Sequence, residues 1–322
     1  MKSEVAKIVI SLTSYPPRIK TVNLVIKSLL NQTVMPWKIV LWLAEEEFPE
    51  REASLPAELV ALEKGTCFEI DWCENIRSYK KLIPALRKYP DCDIVTADDD
   101  IIYPPDALER LVVAHRESPA DILSMWVRII TAKDGIVQPF LDWLPTWIGG
   151  QNRASASFDN YLLGGSPAYY PAHCLHNQVL DMKTAWEVCP NQDDLWFWAM
   201  AVMGGCKIRG VSCKDYSLKM LEGSQEYSLW SENKEGGNDI AMERLLSRYP
   251  EIMKKLSLLH SPMPKEKRCL GGLIKTVREG NRMFAARLNI PLFQMKYSED
   301  FSLLTFYILK IPVFRRRCSG AR

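Results

Sequence analysis

The chain has 322 residues, 47 % of them hydrophobic and 25 % charged, with a formal net charge of +2. Such a chain can bury one large core or two modest ones, and its near-neutral total excludes nucleic-acid binding by the whole protein. Nine cysteines are scattered without a Cys-x-x-Cys pair, which fits buried reduced thiols and not a disulfide framework; Cys174 and His176 alone do not make a zinc site.

The opening residues Met1 to Lys7 lack the apolar core and cleavage site of a signal peptide, and no run reaches the roughly 18 apolar residues that span a bilayer. The protein is therefore expected in the cytoplasm. Lys7 to Thr13 reads as a first strand, stopped by Ser14-Tyr15-Pro16-Pro17. A helix follows with Val22, Val25, Ile26, Leu29 and Leu30 on one face. Lys38 to Leu43 is a second strand, Leu55 to Glu63 a helix, Thr66 to Trp72 a third strand, and Tyr79 to Arg87 a helix. Asp93 to Ala97 is a fourth strand. Strands alternating with helices predict a doubly wound, mostly parallel α/β sheet, whose ligands sit at the carboxyl ends of the strands.

The fourth strand ends in Asp98-Asp99-Asp100, followed by Ile101-Ile102-Tyr103-Pro104. Alternation along an extended backbone would put Asp98 and Asp100 on one side and Asp99 on the other. Two hard oxygen ligands at a strand end suit Mg²⁺ or Mn²⁺, which keeps open positions for phosphates. A solvated acidic turn capping the helix that begins near Asp106 is the plainer alternative, but three adjacent like charges after an apolar strand argue for a cation.

Beyond this point Ile122 to Thr131 is a β-rich run, and Pro139 to Gly150 is a loop carrying Trp143 and Trp147. Tyr161 to Tyr170 is a strand broken by Gly164-Gly165. Asp193 to Met203 reads as a helix, Lys207 to Val211 as a strand, and Asn238 or Asp239 caps a last helix running to Tyr249. Trp196 and Trp198 are expected in the core, Trp143 and Trp147 on a sugar-stacking surface. In the tail, Asn289-Ile290-Pro291-Leu292-Phe293 recurs 21 residues later as Lys310-Ile311-Pro312-Val313-Phe314, followed by Arg315-Arg316-Arg317. Apolar wedges flanked by cations are expected to rest on an anionic membrane surface, against the alternative of terminal strands packed on the core.

Several of these strings resemble glycosyltransferases of the GT-A fold, close to the family 2-like enzymes of bacterial surface-polysaccharide assembly. Ile10 to Pro16 resembles their first strand and nucleotide-side turn, and Ser28-Leu29-Leu30-Asn31-Gln32 their Ser-Leu-x-x-Gln linker. Ala97 to Pro104 resembles their Asp-x-Asp-Asp-x-x-x-Pro metal motif, and Gln192-Asp193-Asp194-Leu195 their acidic helix start. The resemblance covers about residues 5 to 250 and implies a catalytic domain over 1–255, with a donor half to about 105 and an acceptor half beyond it. A helical, membrane-associating extension over 256–322 follows. It also implies transfer of one sugar from a nucleotide-diphosphate sugar, most simply a UDP sugar, to a glycan or lipid-linked acceptor, by a protein lying on the inner face of the cell membrane. Asp193 is the implied general base, with Asp194 in reserve. Donor contacts are implied at Thr13, Tyr15, Arg18, Asp71, Glu74, Lys80, Lys81, Asp98 and Asp99, and acceptor contacts at Trp143, Trp147, Gly164 and Gly165. Aligned on the proline, the family's first Asp falls on Ala97 and its metal-binding Asp on Asp99, so Asp98, Asp99 and Asp100 all stand as metal candidates. A non-catalytic scaffold of this fold and a sugar nucleotidyltransferase are the alternatives; the second lacks its glycine-rich N-terminal loop here.

Overall fold

The computed structural model describes residues 7–133, 135–146, 155–212, 219–221 and 236–256, and the backbone of six strands between 265 and 317. The chain divides into two compact units: Met1–Thr131 with Val137–Leu259, and Ala132–Ile136 with His260–Arg322.

The first unit is built on a seven-stranded sheet of β1 (Ile8–Thr13), β2 (Lys38–Ala44), β3 (Phe68–Cys73), β4 (Asp93–Thr96), β5 (Ile122–Ser124), β6 (Ala168–Tyr170) and β7 (Ile208–Gly210). Its spatial order is β7-β5-β6-β4-β1-β2-β3. β1 to β4 are parallel and β7 is parallel to β5, whereas β6 runs antiparallel to both of its neighbours. Both faces are covered, which is why β1 and β2 read as nearly continuous apolar runs. Ile8, Ile10 and Leu12 join one buried layer with helix α1 (Val22–Leu30) and helix α2 (Ala107–Glu117). Val9 joins the opposite layer, with α3 (Asp193–Gly204) and α4 (Asn238–Arg248). From Leu195 to Val202 every residue of α3 is buried, so it is a core helix with no solvent face. Gly205, at φ +84°, ends it in the left-handed conformation.

The expected elements of the donor half recur with local differences. Leu55–Glu63 is one α turn, Ala57–Val60, followed by a 3₁₀ turn, Ala61–Glu63. The helix expected from Tyr79 divides into a 3₁₀ turn, Arg77–Lys81, and a helix, Ile83–Lys88, because Pro84 fits only a helix's first turn. The run Ile122–Thr131 is not one strand. The Trp126 N–H donates to Ser166 Oγ at 2.9 Å, and the chain turns there into Val127–Ile129, which pairs with Leu144–Pro145 and Asn160–Leu162 in a separate sheet. Tyr161–Tyr170 is divided between the two sheets in the same way.

In the second unit the described backbone forms two three-stranded antiparallel sheets, Lys265–Cys269, Ile274–Glu279 and Arg282–Leu288, then Phe293–Tyr297, Leu303–Ile308 and Ile311–Arg317. This corrects the expectation of a helical extension. The run Ile274-Lys275-Thr276-Val277 is rich in β-branched residues, which favour strands over helices. The side chains of the tail, on which the membrane expectation rests, lie outside the described residues, as does Trp147. No helix among the described residues is long and apolar enough to cross a membrane.

Candidate active site

The strand order reverses between β1 and β4, and a crevice outside the carboxyl ends of such strands is where open α/β sheets bind ligands. The aspartates stand there. β4 ends at Thr96, so Asp98–Asp100 form a turn and not a strand, and strict alternation does not apply. Asp99 accepts from Ser14 Oγ at 2.6 Å and from Arg18 Nη1 at 2.8 Å, and the same guanidinium lies 3.2 Å from Asp100 Oδ2. Asp98 instead faces Lys81 at 3.7 Å. Asp99 and Asp100 thus share Arg18 as a partner, whereas Asp98 pairs with Lys81.

The loop is held by the linker that precedes β2. Gln32 Nε2 donates to the Pro104 carbonyl at 2.8 Å, its Oε1 accepts from Leu108 N at 2.9 Å, and Ser28 Oγ accepts from Tyr103 N at 3.1 Å. The Asp98 N–H donates to Tyr103 Oη at 2.8 Å. The two separated strings singled out in the sequence therefore brace one another.

Lys81 is the centre of the arrangement. Its ammonium lies 3.0 Å from Asp193, 3.3 Å from Asp194 and 3.7 Å from Asp98, with 9 % of the side chain exposed. Its carbonyl accepts from Ser11 Oγ on β1 at 2.6 Å, and Ser11 Oγ accepts from Trp42 Nε1 on β2 at 2.9 Å. Tyr79 Oη, two residues earlier, donates to the Cys189 carbonyl at 2.5 Å. Burial alone would lower the Lys81 pKa, but the three carboxylates outweigh it and hold the ammonium well above its ordinary value.

Asp194 is fixed from the other side by the Gly164 N–H, 2.7 Å from Oδ2. A Cβ on Gly164 would overlap Lys81 Nζ and come within 2.5 Å of Asp194 Oδ1. Gly164→Ala is accordingly expected to keep its fold, since side-chain tips can move aside, yet to lose at least about tenfold in turnover as the contact is displaced. Circular dichroism beside a kinetic assay checks this, and unchanged turnover would show the close approach to be unimportant.

Five carboxylates, Asp98, Asp99, Asp100, Asp193 and Asp194, face two cations, Arg18 and Lys81, a formal excess of three negative charges. Asp98 is pushed up to about 8, first by burial and then by Asp100, Asp194 and Asp99, against the pull of Lys81; its side chain is 29 % exposed. Asp194 is also raised, first by burial, with Lys81 opposing and Asp193 adding. No three His, Cys, Asp or Glu side chains form a ready metal shell among the described residues. A hard divalent cation that takes one or two carboxylates plus phosphates and water needs no such shell, and the excess negative charge fits it.

Lys80 is buried and held by Glu47 at 2.5 Å, directed toward the end of β2 and not toward the aspartates. Thr13 Oγ1 donates to the Trp42 carbonyl at 2.8 Å, and the half-buried Tyr15 lies under Arg18, 5.7 Å from its ring centre. Asp71 and Glu74 stand at the outer strand β3, engaged by Lys88 at 2.6 Å and Arg87 at 2.9 Å. Trp143 is 1 % exposed, packed on Phe140 and Tyr161. It is a core residue, and the expectation of a stacking surface there is corrected. Gly165 packs against the Trp126 ring. Ser14 was not expected, although its place in the turn directly after β1 is the signal that would have found it.

No family model matches the chain, and no curated protein matches it. Among solved structures it is similar to S. aureus TarS 1-349, at 13 % identity and TM-score 0.42 over 87 % of this chain and 99 % of that one. It is similar to the same protein in complex with UDP-GlcNAc, at 15 % identity and TM-score 0.47 over 79 % and 72 %. A third is the mannosyltransferase PcManGT from Pyrobaculum calidifontis in complex with GDP-Man and Mn²⁺, at 11 % identity and TM-score 0.47 over 80 % and 69 %.

Proposed function

We propose that this chain is a GT-A glycosyltransferase that moves one sugar from a nucleoside-diphosphate sugar, with UDP sugars the first to test, to a hydroxyl of a glycan or lipid-linked acceptor, with inversion. The observation that carries this reading is the gathering of five carboxylates about Lys81 and Arg18 at the sheet's switch point.

Of the two base candidates the geometry favours Asp194. Its side chain is 19 % exposed, against 8 % for Asp193, so an acceptor hydroxyl can reach it. Its raised pKa makes it a better proton acceptor than an ordinary carboxylate, and Lys81 and the Gly164 N–H fix its direction. In the transfer the acceptor oxygen bonds to the anomeric carbon and its proton passes to Asp194, while the bond from that carbon to the diphosphate oxygen breaks and its electrons leave with the nucleotide. Asp98, whose contact is the loosest in the cluster, and Asp100 would hold Mn²⁺ or Mg²⁺, whereas Asp99 already has Ser14 on one oxygen and Arg18 on the other. When bound, such an ion neutralises charge on the departing diphosphate.

A panel of nucleotide sugars scored for Mn²⁺-dependent nucleotide release tests the reading, and release from none of them would end it. Asp98→Ala and Asp100→Ala are each expected to weaken Mn²⁺-dependent nucleotide binding by at least about tenfold in calorimetry, and Asp99→Ala by less. Binding like the parent's in all three variants would misplace the metal. A carboxyl whose pKa is raised on folding contributes stability below its unfolded pKa, near 4, and loses that contribution as pH rises through about 8. The Mn²⁺-induced rise in melting temperature should therefore be larger at pH 8.5 than at pH 6, and equal shifts would exclude Asp98 from the metal. For the tail, removal of residues after Leu259 should abolish salt-sensitive binding to anionic liposomes and spare donor hydrolysis. A full-length protein that ignores such vesicles at low salt would end the membrane reading.

A further inference from the structure

The turn that delivers Lys81 is fastened at three places to the first turn of α3 and the segment leading into it. Lys81 reaches Asp193 and Asp194, and Tyr79 reaches the Cys189 carbonyl. At the outer end of the turn, Arg77 donates from Nη1 to Asn191 Oδ1 at 2.5 Å and lays its guanidinium 5.8 Å from the ring centre of Trp186. Arg77 holds φ +53°, a left-handed conformation that is costly without glycine and persists where the surroundings demand it. Trp186, on the helix Met182–Val188, is 44 % exposed. A substantially exposed indole thus stands beside a guanidinium and a carboxamide, close in sequence to Lys81 on one segment and to Asp194 on the other. A pyranose ring presents an apolar C–H face that stacks on an aromatic surface, and hydroxyls that pair with planar polar groups.

We propose that Trp186, Arg77 and Asn191 form the subsite that binds a sugar ring of the acceptor glycan, a role that rests on the reading of the crevice as a sugar-transfer site. The molecule carries its own control. Trp37 is 41 % exposed and flanked by Lys7 at 4.7 Å and Lys38 at 5.5 Å, but it precedes β2 and so lies at the amino ends of the strands, away from the crevice.

Saturation-transfer NMR on the full chain with the methyl glycosides of glucose, galactose, mannose and N-acetylglucosamine tests the subsite. The parent should bind at least one of them. Trp186→Ala should lower that affinity at least about tenfold, and so should Arg77→Gly, which removes the guanidinium and tolerates the left-handed backbone. Trp186→Phe should cost less than about threefold, because it keeps an aromatic face. Trp37→Ala should bind as the parent does. Absence of glycoside binding by the parent, binding that survives both Trp186→Ala and Arg77→Gly, or an equal loss in Trp37→Ala would overturn the proposal. Nucleotide-sugar binding with Mn²⁺, measured on the same preparation, separates the two readings. Glycosides bound through Trp186 by a protein that takes no nucleotide sugar would end the transferase reading and keep the subsite. Nucleotide sugars bound by a protein whose glycoside binding ignores Trp186 would end the subsite alone.

Discussion

Lys81→Met is expected to lower turnover at least about 10²-fold in a protein that still folds. Methionine keeps the apolar stem and removes the charge, which leaves Asp98, Asp193 and Asp194 without their shared ammonium. Removing one member of a buried ion pair costs about 3–5 kcal/mol, because the remaining charge stays desolvated. Asp98 and Asp194 relieve that cost by taking up protons, and a protonated Asp194 accepts nothing from an acceptor. The sign of the pH effect follows. Lys81 holds Asp98 and Asp194 down, so its loss lets both rise further, and the acid limb of the kcat/KM profile should move to higher pH. A Lys81→Met protein with the parent's turnover and the parent's pH profile would remove Lys81 from the machinery.

Asp194→Asn is expected to lower kcat by about 10²- to 10⁴-fold while the donor KM stays within about threefold, the pattern for loss of a general base. The amide still accepts from the Gly164 N–H, so the loop should hold its place. Asp193→Asn, at a more buried carboxyl, should act more on stability than on turnover. The opposite pattern, with collapse in Asp193→Asn and near-parent turnover in Asp194→Asn, would restore the base to the residue that the sequence favours. Near-parent turnover in both would leave the reaction without its base.

Much of the donor half was legible in the chain. Ile8–Thr13 and Lys38–Ala44 are apolar runs of the kind that doubly covered parallel strands require, and Pro16-Pro17 and Pro104-Pro105 mark where they stop and where a helix follows. What was not legible depends on contacts between distant residues. Nothing local distinguishes Lys81, buried among carboxylates, from a lysine on a solvated face, because Asp193 and Asp194 lie more than a hundred residues away. Trp143 misled for a related reason. A tryptophan in a proline-rich loop stacks on sugar or on Phe140 and Tyr161 with the same apolar surface, and only the tertiary fold decides. The division of Ile122–Thr131 was hidden because Ser166, which fixes the turn at Trp126, is also remote.

The antiparallel strand β6 has a consequence for how the protein is made on the ribosome. β4 pairs with β1 as soon as both have emerged, but its other edge pairs only with Ala168–Tyr170, 72 residues later. At translation rates of about 5–20 residues per second, that edge is uncovered for roughly 4 to 14 s in every nascent chain. An apolar strand with an open ladder is a template for pairing with other chains. The acidic residues at its ends, Asp93 as its first residue and Asp98 to Asp100 just after it, place like charges on any two such edges that meet. The carboxylates proposed for sugar transfer thus also set like charges against edge-to-edge pairing at the end of this strand.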